Sequence, residues 1–292
     1  MSASTEAPCP VCEGRGIRVT KGDVQAEASF CDCVGTCAEC GGDGWIHERR
    51  ESGYTVAIHC VCASRTQRIA LFNAAEIPAR YHDRTLDNFL PRLTNHDHIM
   101  EYIEVWMRGF AEHNTGLLFF GAPGLGKTHL ALSVLRQLVT AKSVRGRFIE
   151  FGDLLALIRG SFGNRGQDGK TDVLRSYQDA ALLVVDELGK GKGTEWELSI
   201  LDQLIGDRYN RELTTIFTTH YPLQRTDQVQ ERDGMVELRR LDDVKALLEE
   251  EPLEDRVSKA LYSRILDMSR PIFLRGAQDF RLQRFRPEPQ RN

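Results

Sequence analysis

No cysteine occurs after residue 62 in this chain of 292 residues. No apolar run approaches the roughly 18 residues a membrane-spanning helix needs, so no membrane span is expected. Neither sign of charge dominates: 38 Lys and Arg face 42 Asp and Glu, for a formal net charge of -4. A chain so balanced has no overall attraction to nucleic acid, and any contact with phosphate must come from a local patch. The opening Met-Ser-Ala-Ser-Thr-Glu lacks both a basic n-region and an apolar h-region, so no secretory signal is read and a cytoplasmic protein is expected.

Against that background the eight cysteines between Cys9 and Cys62 are the anomaly. Reduced thiols clustered in pairs point to metal before disulfide. They belong to an internal repeat. One unit runs Cys9-Pro-Val-Cys12-Glu-Gly-Arg-Gly16 and ends in Cys31-Asp-Cys33; the other runs Cys37-Ala-Glu-Cys40-Gly-Gly-Asp-Gly44 and ends in Cys60-Val-Cys62. Turn signals lie midway, at Lys21-Gly22-Asp23 and Ser52-Gly53, so each unit predicts a small β-hairpin. Four thiolates suit a tetrahedral Zn²⁺ in a closed, structural site. The simplest assignment is sequential, with Cys9, Cys12, Cys31 and Cys33 on one ion and Cys37, Cys40, Cys60 and Cys62 on the other; a crossed assignment between units is the alternative. His47 and His59 lie near enough to ligate, but eight cysteines already fill two sites. Gly14, Gly16, Gly42 and Gly44 would permit tight turns around the metal.

Beyond the repeat, strands and helices alternate, which predicts an α/β fold with a mainly parallel sheet covered on both faces. Strands are read at 117–120, 148–151, 181–185 and 215–219. Leu130, Val134, Leu135, Leu138 and Val139 follow helical spacing, and Asp153 is placed as a helix N-cap. Residues 161–170, rich in glycine and mildly basic, read as a surface loop. The expected organisation is a zinc module over 1–65, a helical connector over 66–88 and a P-loop domain over 89–292. That last stretch includes a charged insertion at about 226–255, acidic before Pro252, and a basic tail at about 275–292.

The run Gly121-Ala122-Pro123-Gly124-Leu125-Gly126-Lys127-Thr128-His129 follows a strand and opens a helix, as a phosphate-binding P-loop must. Its N–H groups would face the phosphates of ATP, with Lys127 reaching the β- and γ-phosphates and Thr128 holding Mg²⁺. Asp186 and Glu187 end an apolar strand and so stand at the carboxyl edge of the sheet; Asp186 would support Mg²⁺ and Glu187 would polarise the attacking water. His220, after the strand at 215–219, either touches the γ-phosphate and its water or is structural. Arg159, Arg165, Lys170 and Arg175 form either a DNA-binding patch or a set of solvated charges. The tail, with Arg275, Arg281, Arg284, Arg286, Arg291, Phe280 and Phe285, is either a single-strand-binding mixture of arginine and aromatics or a basic disordered tail.

Arg80-x5-Leu-Asp-Asn-Phe89, the P-loop, Leu182-Leu-Val-Val-Asp-Glu-Leu-Gly189, Arg208-Tyr-Asn210, Thr214-Thr-Ile-Phe-Thr-Thr-His220 and Tyr262-Ser-Arg-Ile-Leu266 stand in the order of a family. Over about 78–282 the chain resembles the DnaC/IstB-type AAA+ ATPases, which include helicase loaders and transposition ATPases. The resemblance implies an AAA+ sheet, an ATP-dependent homo-oligomer and an arginine acting on the neighbour's nucleotide, matched by Arg264 with Arg256 as a second candidate. It implies a protein partner, most simply a replicative helicase, and single-stranded DNA. A transposition ATPase on duplex DNA and an ATP-dependent switch without DNA are the alternatives. Two departures stand out: His220 replaces the usual Asn, and the acidic stretch before Arg256 is long. The cysteine units are similar to the Cys-x2-Cys-x-Gly-x-Gly turns of DnaJ-type chaperones, but the chain has no His-Pro-Asp tripeptide.

Overall fold

The computed structural model describes residues 9–12, 14–60, 62–89, 93–191, 193–223 and 251–276, apart from the side chains of 162–171. Most of the expected charged insertion and nearly all of the basic tail lie outside the described residues, as do the side chains of Arg165 and Lys170. The chain divides into two compact units, residues 1–83 with 136–146, and 84–135 with 147–292. Among the described residues no helix is long and apolar enough to cross a membrane.

The cysteine repeat folds as two antiparallel hairpins, β1 (Ile17–Lys21) with β2 (Ala26–Phe30) and β3 (Trp45–Arg49) with β4 (Thr55–His59). The two are built alike. Arg15 N–H donates to the Cys12 carbonyl and Asp43 N–H to that of Cys40, while Cys31 and Cys60 donate to Gly16 and Gly44. Gly14, Gly16, Gly42 and Gly44 all have positive φ, the conformation these turns require. The first hairpin is buttressed by α1 (Ala63–Ala74). There the Asn73 amide closes on one strand residue from both sides, accepting from Ala28 N–H (2.7 Å) and donating to Ala28 C=O (3.1 Å). A short 3₁₀ turn, Ala79–Tyr81, follows.

The second unit is a five-stranded sheet in the order β6-β7-β8-β5-β9. Its strands are β5 (Gly116–Phe120), β6 (Gly146–Glu150), β7 (Leu182–Asp186), β8 (Thr214–Thr219) and β9 (Ser269–Phe273). β5 runs parallel to both β8 and β9, and β7 parallel to β8. The helices are α2 (His96–Arg108), α3 (Lys127–Lys142), α4 (Phe151–Gln178), α5 (Glu195–Asn210), α6 (Leu253–Arg256) and α7 (Lys259–Met268). β5, β7 and β8 are buried along their whole length, which is why they read as continuous apolar or Thr-rich runs. Gly116 has no room for a side chain, since a Cβ there would sit 1.8 Å from the Thr215 carbonyl oxygen of the neighbouring strand.

Residues 161–170 are not a loop. α4 runs through them as part of a single 28-residue helix. Each glycine costs about 1 kcal/mol relative to alanine, yet no proline breaks the run. Both ends are anchored in one core, through Leu154, Leu155 and Ile158 on one side and Leu174 and Tyr177 on the other. Asp153 is not the N-cap either: Glu150 takes that position, Phe151 opens the helix rather than ending the strand, and Asp153 lies in the first turn. There its charge still complements the helix dipole.

One fully buried cation orders the far edge of this unit. Arg208, in α5, donates to Thr215 Oγ1 and to the carbonyls of Tyr177, Gln178, Ala180 and Thr214 at 2.6–3.1 Å. It ties the last turn of α4 to the starts of β7 and β8. Burial pulls its pKa down, to about 9, which still leaves it charged at neutral pH.

Candidate functional site

Parallel strands put their carboxyl ends on one edge, and β5, β8 and β7 are neighbours. The P-loop after β5, His220 after β8 and the carboxylates ending β7 therefore stand side by side. The loop is shaped by what it lacks. Gly126, at φ 88°, lies against Phe89, and a Cβ on it would be 2.4 Å from the Phe89 ring. Phe89 packs edge-on to His129, whose Nε2 lies 2.9 Å from the Thr85 carbonyl. Lys127, almost buried, donates from Nζ to the carbonyls of Gly121 (2.7 Å) and Ala122 (2.8 Å). Its ammonium is thus held inside the curve of the loop, at the start of α3.

Asp186 is the hub. It is 1% exposed. Its carboxylate accepts from Thr128 Oγ1 (2.9 Å) and from Thr218 Oγ1 (2.5 Å). Thr218 Oγ1 also accepts the Glu187 N–H (3.1 Å). Thr218, which sequence reasoning did not single out, fastens the β7 end to the sheet; the hint available was four threonine hydroxyls in a strand that is buried throughout. A hydroxyl and a carboxylate side by side form an all-oxygen donor pair that fits Mg²⁺.

Glu187 adopts φ 55°, left-handed although it is not glycine. Its carboxylate forms an ion pair with Lys190, which also reaches Glu150 at 3.1 Å. Burial acts to raise the Glu187 pKa, but the Lys190 ammonium outweighs it and the pKa is lowered. Glu150, at the end of β6, is raised by burial, and Lys190 is raised chiefly by its hydrogen bond to Glu187. His220 stacks on Tyr221, ring centroids 3.9 Å apart, and lies near enough to Glu187 to add to that lowering.

The arginines separate. Arg264, on α7, donates to Asp202 of α5 (2.8 Å), and its side chain is 37% exposed. Arg256 is committed to its own chain, donating to the Gly189, Gly191 and Glu251 oxygens. The proposed basic patch is not one cluster among the described side chains. Arg159 is paired with Glu197 (3.3 Å) and lies over Trp196, while Arg175 is exposed about 24 Å further along α4 at 1.5 Å per residue. Arg275 covers Phe273.

The cysteines come together sequentially, in the sets Cys9, Cys12, Cys31, Cys33 and Cys37, Cys40, Cys60, Cys62, with all sulfurs in a set within 4.8 Å of one another. Sulfur pairs lie 3.9 and 3.4 Å apart in the first set and 3.6 and 3.2 Å in the second. All eight are free thiols, and these spacings bracket the roughly 3.8 Å between sulfurs on a tetrahedral zinc with 2.3 Å bonds. Backbone N–H groups lower the Cys37 thiol to about 7, and they overcome burial to bring Cys12 to about 7 as well. The last thiol of each set moves the other way: hydrogen bonding with Cys12 raises Cys33 to about 12, and hydrogen bonding with Cys40 raises Cys62 above the usual thiol range. Four thiolates repel one another unless a cation sits among them, and the sets fit Zn²⁺. His59 stacks on Trp45 (4.0 Å), and neither it nor His47 belongs to either set.

Comparison with known proteins adds four findings. Over 150 residues the chain is 24% identical to the replicative helicase loader DnaC of Escherichia coli, covering 51% of this chain and 60% of that protein. Over 166 residues it is 23% identical to the uncharacterized protein YqaM of Bacillus subtilis, covering 53% and 51%. The chain thus spans between half and three-fifths of the length of these curated relatives. A crystal structure of the DnaC helicase loader superposes with a TM-score of 0.53 at 28% identity, over 67% of this chain and 99% of that one. The family model for the IstB-like ATP binding protein matches residues 59–244, and with the P-loop at the head of an AAA+ sheet this places the chain in the IstB-like ATP-binding family.

Proposed function

We propose that the protein hydrolyses ATP as an AAA+ homo-oligomer and uses the cycle to load a replicative helicase onto single-stranded DNA in the cytoplasm. The observation that carries this reading is the junction at Asp186, where the P-loop hydroxyl of Thr128 and the β8 hydroxyl of Thr218 meet one buried carboxylate. In this reading residues 121–129 bind the triphosphate, with Lys127 as countercharge. Mg²⁺, held by Thr128 and Asp186, supplies charge neutralisation on the phosphates. Glu187 takes the proton of the attacking water, His220 contacts the γ-phosphate side, and Arg264 reaches a neighbouring chain's nucleotide. Two Zn²⁺ stiffen residues 1–65, which dock the partner; 66–88 connect to the ATPase domain at 89–292. The likeness to a replicative helicase loader supports the choice of partner. The match to the IstB-like family supports a second reading, a transposition ATPase on duplex DNA.

ATP turnover measured with each candidate effector separates the readings. Stimulation by single strands plus helicase is expected. Stimulation by duplex plus transposase would favour the second reading, and indifference to all nucleic acid would leave a switch acting on protein alone.

A further inference from the structure

The turn at and after Glu187 is closely constrained by its surroundings. Glu187 itself is left-handed at φ 55°. Gly189 is left-handed at φ 87° and has no free space, since a Cβ there would meet Leu253 Cδ1 at 2.9 Å and Tyr221 Cδ2 at 3.0 Å. A non-glycine residue such as Glu187 stays in this region only where its surroundings over-determine it. From the β8 side, Leu188 N–H donates to the Thr218 carbonyl (2.8 Å), and Lys190 N–H closes back on the Glu187 carbonyl (3.0 Å).

A further restraint comes from one side chain on the opposite side. Arg256 Nε donates to the Gly189 carbonyl at 2.7 Å and Nη2 to the Gly191 carbonyl at 2.8 Å. Its guanidinium lies 4.3 Å from the centroid of the Tyr221 ring, and Nη1 is anchored by Glu251 at 2.8 Å. The planar fork spans two carbonyls two residues apart, which an ammonium cannot do with the same geometry. The Gly189 carbonyl it grips is only two residues from the carboxylate that must aim at water.

We propose that Arg256 is a positioning residue acting in cis, clamping the 189–191 backbone so that Glu187 is presented to the water attacking ATP on the same chain. This rests on the reading of Glu187 as the hydrolytic base. It also separates two arginines that the sequence leaves interchangeable. Arg256 has three of its nitrogens engaged by its own chain, whereas Arg264 makes one bond to Asp202 and is 37% exposed.

The test uses full-length protein carrying Arg256→Ala, Arg256→Lys or Arg264→Ala. ATP affinity is read by titration, turnover at steady state, and the loop by hydrogen exchange of the Leu188 and Lys190 amides. Arg256→Ala is expected to keep ATP affinity within about 2-fold and to lose on the order of 10–100-fold in kcat, as displaced catalytic groups do. The two loop amides should exchange faster, and Arg256→Lys should recover part of the rate. Arg264→Ala should leave loop exchange unchanged. Mixed with Glu187→Gln, Arg256→Ala should gain nothing over its own residual rate, because its own Glu187 remains misaligned whatever the neighbour supplies. Rescue on mixing would make Arg256 a trans group and overturn the proposal. So would a wild-type kcat, unchanged loop exchange, or a loss of ATP affinity matching the loss of rate. A wild-type protein that does not turn over ATP would instead overturn the hydrolytic reading, leaving the exchange data to report on the clamp alone.

Discussion

In the proposed mechanism Lys127 and Glu187 serve opposite ends of one chemical task, and substitution should separate them. Lys127 holds positive charge inside the loop through two carbonyls, so Lys127→Ala should weaken ATP binding. A lost hydrogen bond to a charged group is worth about 1.5–3 kcal/mol, or roughly 10- to 150-fold in affinity. Glu187→Gln should bind ATP normally and turn it over on the order of 10²–10⁴ times more slowly, because the amide cannot take a proton. Nucleotide titration and phosphate release check the two, and a Glu187→Gln protein that hydrolyses at the wild-type rate would remove Glu187 from the mechanism. The carboxylates were legible because an apolar strand that ends in Asp-Glu can put them in only one place. Thr218, Glu150 and Lys190 were not. Their contacts with Asp186 and Glu187 are made across the sheet or around a turn, and no local pattern announces them.

The two hairpins are elements too small to bury a core of their own, and metal is the natural substitute. Reducing-purified protein should contain about two zinc per chain, one for each four-ligand site. Replacing Cys9 and Cys12 by Ser should remove about one and leave the sheet unit folded, as judged by metal analysis and circular dichroism; a native protein free of metal would refute the zinc reading. At this scale the sequence was readable wherever one signal dominated. The buried strands β5, β7 and β8 appear as uninterrupted runs, and the hairpins are bracketed by paired cysteines. It misled where signals conflicted. The glycines at 163, 166 and 169 argued for a loop over 161–170, but the core contacts at the two ends of α4 carry the helix across them. β9 went unread because Pro271 sits in it; at the end of the strand order, a residue without an N–H is tolerated.

For the assembled molecule, the decisive question is whether a site is completed by a second chain. Arg264→Ala should bind ATP and hydrolyse it poorly, since a finger contributes on the order of 10³–10⁵ in rate. Glu187→Gln should be inactive for its own reason. Once light scattering shows co-assembly with ATP, mixing the two should restore part of the activity, because some interfaces then join an intact Glu187 to an intact Arg264. Zero activity in a proven mixture would assign Arg264 to its own chain. A last consequence follows from a bond already noted near the Arg256 clamp. The chain leaves the described residues after Leu223 and returns at Glu251, and the Leu253 N–H donates to the Pro222 carbonyl at 2.7 Å. The two ends of the intervening stretch are therefore fastened together at the rim of the nucleotide site. Loop closure entropy grows only with the logarithm of length, about 0.6 kcal/mol per doubling. A change in the number of residues between Pro222 and Leu253 is therefore expected to leave this fastening in place.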